Sequence, residues 1–109
     1  MESRLTFRDQ ALAVVLERIV RLRQLAFADV LALPKARSEY IEVGGVKVQL
    51  TVYRQIDVPF LDGQVLVVVQ VARSRWLGLA STHIERGLVF SLGAEVRDAT
   101  NLELQNSGG

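Results

Sequence analysis

Val46-Lys47-Val48-Gln49-Leu50-Thr51-Val52-Tyr53 places Val46, Val48, Leu50 and Val52 on one side of an extended chain and Lys47, Gln49, Thr51 and Tyr53 on the other. Side chains of a strand alternate with period two, so this stretch predicts a strand with one face buried and one wet. Just upstream, residues 40–43 and the pair Gly44-Gly45 read as the first arm and the two-residue turn of an antiparallel hairpin. The pair of strands is expected at about 39–43 and 46–56.

Before Pro34 the period changes to 3.6. Leu12, Val15, Ile19, Leu22, Ala26, Val30 and Leu33 recur at steps of three and four, the signature of one helix face. Thr6 with Asp9 three residues on is a capping signal, and Pro34 disfavours helical geometry at the residue before it. One long helix is therefore expected over about 6–33. Arg23 falls at the edge of its apolar stripe, where its stem can lie along the apolar surface with its head in water.

Downstream, Pro59 and Asp62-Gly63 supply turn chemistry, which predicts the next strand at about 64–75. After a connection at 76–82, a further strand is expected at about 83–96, with Gly87 and Gly93 as sites for a bulge or a close approach by another backbone. Residues 102–105 leave room for a short edge strand before a frayed tail at 106–109. No helical pattern interrupts the strands, so the expected fold is α+β, one long N-terminal helix packed on a four- to five-stranded antiparallel meander in a single domain over 1–109. This element order resembles the outline of cystatin-like folds. The terminal Gly108-Gly109 does not indicate a ubiquitin-like carrier, because the helix precedes all the strands.

Composition narrows the chemistry. The 109 residues are 50% apolar and hold one His, no Cys and a net charge of +1, which excludes disulfides, thiolate metal sites and a zinc motif within one chain. No cofactor or metal is implied. The most apolar N-terminal run, residues 11–16, ends at Glu17 and Arg18, too short for a span or a signal core, so a cytoplasmic protein is expected, with no membrane partner. Eleven Arg against two Lys fits the coding bias of a GC-rich bacterial genome.

With each hairpin closed about its turn, Ile41, Val43, Val46, Val48, Leu50, Val52, Leu66, Val68, Leu88, Phe90 and Leu92 are expected to meet the helix. Val65, Val67, Val69, Val71 and Val89 then fall on the outer face with Gly87, Ser91 and Gly93. A helix about 10 Å across cannot cover four strands spaced about 4.8 Å apart, and water-exposed valines would each forfeit about 1.5 to 3 kcal/mol. The leading expectation is a non-enzymatic homodimer joined through these valines, binding another protein or a small apolar ligand. A C-terminal segment folding back over the same face is the alternative cover.

The same pairing sets Arg73 across from Glu85 and Arg75 across from His83, with Arg86 beside them. A His between an Arg and a carboxylate suits acid–base work, and paired guanidiniums suit an anion, so a small enzyme or anion-binding protein is the second expectation. Cross-strand pairs also simply stabilise sheets. Nucleic-acid binding through Arg73, Arg75 and Trp76 is the weakest reading, because residues 38–109 carry six basic and eight acidic groups.

Overall fold

A computed structural model describes residues 6–56, 63–73, 82–93 and 95–105. Thr6 starts the first helix, α1 (Phe7–Arg23), by the expected reciprocal cap: the Asp9 amide donates to Thr6 Oγ1 at 3.0 Å and the Thr6 amide to Asp9 Oδ2 at 3.4 Å. Ala11, Val15, Ile19 and Leu22 are its buried stripe. The helix does not run on to residue 33. Gln24 closes it, Ala26 is extended (φ −73°, ψ 157°), and a second helix, α2 (Phe27–Leu31), restarts with Val30 fully buried. The apolar spacing continues through this corner because both helices face one core, and a period of 3.6 cannot register a change of direction.

Five strands follow in a meander: β1 (Ala36–Val43), β2 (Val46–Gln55), β3 (Gln64–Arg73), β4 (Thr82–Ser91) and β5 (Arg97–Asp98), all antiparallel and adjacent in chain order. The fold is thus α+β, a long N-terminal helix on a five-stranded antiparallel sheet. Gly44 and Gly45 both take positive φ (55° and 79°), the conformation a two-residue hairpin turn requires. That turn sets Val43 against Val46 and carries the register to Ala36 against Tyr53. Lys35 O accepts from the Arg54 amide at 3.0 Å, and the Arg54 guanidinium caps the Leu31 carbonyl at the end of α2.

The second hairpin corrects the expected faces. Val52 pairs with Val69 and Leu50 with Val71, so Val65, Val67, Val69 and Val71 lie on the helix side, each no more than 2% exposed. They join Val15, Ile19, Leu50, Leu88 and Phe90 in the main core. The third hairpin pairs Gln70 with Glu85 and Val67 with Leu88, which keeps β4 on the expected faces and inverts β3 alone. Leu92, expected against the helix, stands 81% exposed in the turn after β4. The reason is in β3 itself: residues 65–69 are apolar at both parities, so their pattern cannot choose a face.

The outer face therefore carries Leu66, Val68 and Val89, and the chain covers them itself. β5 is residues 97–98, not the expected 102–105, which instead form a short helix, α3 (Asn101–Gln105). Thr100 and Glu103 make a capping box, with the Thr100 amide donating to Glu103 Oε1 (2.8 Å) and the Glu103 amide to Thr100 Oγ1 (3.2 Å). Arg97 grips the same carboxylate with two nitrogens at 2.8 and 2.6 Å. Leu104 is thereby laid on Leu66, Val68 and Val89. Arg23 ties α1 to the same edge through the Val96 carbonyl (3.3 Å) and the Asp98 carboxylate, so its head takes an acid as well as water.

Gly87 is where this cover comes closest: a Cβ there would meet Leu104 Cδ2 at 3.0 Å, the Val67 carbonyl oxygen at 3.1 Å and Ala99 Cβ at 3.2 Å. Gly87→Ala should lose about 1 to 3 kcal/mol in chemical denaturation, because backbone supplies one of the clashing atoms. The hydrogen bond from Arg97 holds the Glu103 carboxyl down at about 2, from an ordinary 4.5. A lowered folded-state value means stabilisation present above pH 4.5 and lost as the pH falls towards 2. Glu103→Gln should be less stable than wild type at neutral pH by on the order of 1 kcal/mol, with the gap closing across that window in acid titration of unfolding.

Candidate functional site

The cluster expected from Arg73, Arg75, His83, Glu85 and Arg86 is split by the strands that carry it. His83 and Glu85 are two apart on β4 and share the outer face, with Nε2 3.7 Å from Oε2. Arg86 faces the helix side opposite Val69, and its guanidinium donates to the Glu85 carbonyl oxygen at 2.8 Å. Arg73, paired with Thr82 rather than Glu85, lies over the Phe7 ring at 5.0 Å from the centroid. Arg75 and Trp76 lie outside the described residues.

A concavity of about 270 Å³ wraps the β4 edge between Arg8 on α1 and Asn101 and Gln105 on α3, with His83, Glu85 and Arg86 on its walls. Glu85 Oε2 is inaccessible and makes no hydrogen bond within normal limits. The set holds an imidazole beside a carboxylate, and Glu85 Oε2 accepts from no hydroxyl among the described residues. No group of three metal-ligating side chains occurs among them either. Of the expected interface residues, Val65, Val67, Val69 and Val71 are core side chains under α1, and Val89 lies beneath Leu104.

A different concavity lies between α1 and β1: α1 packs chiefly over β3 and β4, and although Val43, Val48 and Leu50 are buried, residues 36–40 of β1 are exposed. The shortfall in width between one helix and the sheet shows here. Arg18 and Arg21, three apart on α1, face Arg37 and Glu39 on β1 across a cleft of about 310 Å³ floored by Leu50 and Val52. Arg18 pairs with Glu39 at 3.1 Å and Arg21 with Glu17 at 2.7 Å. Arg37 has no acidic partner among the described residues. The cleft adjoins a second lobe of about 150 Å³, bounded by Leu22, Leu33 and Pro34 together with Arg18, Arg37 and Val52. The sequence pattern did not point to this place, although Arg18 and Arg21 at helical spacing were a visible signal.

Comparison with family models, curated proteins and solved structures returns no match for this chain. The cystatin-like outline accordingly stays a resemblance of element order. No helix among the described residues is long and apolar enough to cross a membrane.

His83 is 41% exposed, and at 3.7 Å from Glu85 Oε2 it is beyond hydrogen-bond reach. His83→Ala should therefore change the unfolding free energy by less than about 0.5 kcal/mol, measured in urea at neutral pH.

Proposed function

We propose that the chain is a non-enzymatic interaction module that acts as a homodimer, joined through the free edge of β1 rather than through the valines of β3. One observation carries the reading: among the described residues nothing pairs with the outer edge of the eight-residue β1, and its charges complement themselves about a two-fold axis. The Val43–Val46 pair closes a two-residue turn, and Lys35 O accepts from the Arg54 amide, so odd-numbered residues of β1 bond to β2. The backbone groups of Ala36, Ser38, Tyr40 and Glu42 consequently point away from the sheet.

An antiparallel second copy centred on Ser38 would take up those groups and set Arg37 opposite Glu39 twice, once on each side of the axis. Those residues would form the non-hydrogen-bonded pairs, whose side chains approach most closely. Arg37 would gain the acid that it lacks among the described residues, and Glu39 would bridge it to Arg18. Ala36 opposite Tyr40 leaves room for the ring. Inward-pointing charges can also guard an edge against pairing, and the experiment separates the two roles.

Light scattering after size exclusion at high micromolar concentration should give a wild-type dimer, since an interface of one strand edge is small and its affinity modest. Glu39→Arg should give a folded monomer, and Arg37→Glu with Glu39→Arg should restore the dimer. A monomeric wild type, or a dimer indifferent to the single reversal, would overturn the reading.

A further inference from the structure

The cleft between α1 and β1 has two chemically distinct halves. Its mouth is cationic: Arg18, Arg21 and Arg37 converge there against the single carboxylate of Glu39 on the opposite wall. The adjoining smaller lobe is more apolar, bounded by Leu22, Leu33, Pro34 and Val52 together with Arg18 and Arg37. At about 310 Å³ the mouth alone reaches the lower size of small-molecule sites, which typically combine an apolar lining with a few convergent polar groups.

From this we infer that the cleft binds an amphipathic anion, a carboxylate or phosphate head on a short apolar tail. The head is assigned to Arg18 and Arg21, whose side chains lie on the same helix face. Each guanidinium carries five donors, so their pairing with Glu39 and Glu17 leaves donors for a ligand. Arg21, 68% exposed in its side chain, can swing without disturbing the core. The tail enters the lobe towards Leu33 and Pro34. The cleft shares Arg37 and Glu39 with the paired edge, but the head is held from α1 and the tail lies on the floor of the sheet, which leaves Arg37 to Glu39 of a second copy.

Titration calorimetry with acetate, butyrate, hexanoate and octanoate tests both halves. Affinity should rise roughly fourfold per added methylene, and Arg21→Gln should weaken every member that binds by about tenfold. Octyl phosphate against octanoate decides which head is preferred, and amide shifts of Leu50 and Val52 in NMR spectra locate the ligand. Three results would overturn the inference: no binding of either octyl ligand, affinity independent of chain length, or equal binding by Arg21→Gln. Light scattering of the same samples reports the edge pairing separately, so a failed titration leaves that reading standing and a monomeric protein leaves this one.

Discussion

Residues 65–69 of β3, Val-Leu-Val-Val-Val, are buried on both faces, and this double burial constrains the rest of the molecule. A strand apolar at both parities needs two covers, and the chain supplies two of unequal size. α1 takes the side with Val65, Val67, Val69 and Val71. A five-residue α3 takes the side with Leu66, Val68 and Val89. Each fully buried aliphatic side chain contributes about 1.5 to 3 kcal/mol, so neither face can be left open without a large loss. The small cover suffices only because the outer face is apolar at its centre alone, with Thr51, Gln49 and Gln70 around it.

Holding a single turn of helix in place takes a dense set of polar contacts. Arg97 and Thr100 both bind Glu103, the Ala99 amide donates to the Gly87 carbonyl at 2.8 Å, and Gly87 itself removes the side chain that would hold the segment away. Arg23 links this edge back to α1. The far edge is built differently. α1 sits chiefly over β3 and β4, so residues 36–40 of β1 extend beyond its cover, and the charges and the cleft that support the proposed roles gather there.

Legibility in the sequence follows the same physics. The Thr6–Asp9 cap, the buried stripe through Val15, Ile19 and Leu22 and the β1–β2 hairpin could be read because each rests on local chemistry with one solution: a cap, a period, a Gly-Gly turn. The face of β3 could not be read, since Val67 and Val68 are equally apolar and register depends on long connections. The corner at residues 24–26 has no turn residue to betray it. The C-terminal helix did leave a trace, Thr100 followed by Glu103 in capping-box spacing. The expected cluster at the end of the sheet is divided between its two faces. Arg73, His83 and Glu85 cluster only under a register that the second and third hairpins do not adopt, whereas Arg18, Arg21 and Arg37 meet through contacts between elements distant in the chain.

Methyl nuclear Overhauser contacts in protein labelled at Ile, Leu and Val test the inverted strand most directly. The account predicts that methyls of Val67 and Val69 contact those of the α1 residues Val15 and Ile19, while Leu66, Val68 and Val89 contact Leu104. Contacts from Leu66 and Val68 to α1, with Val67 and Val69 free of it, would contradict the register and with it the two-sided cover of β3.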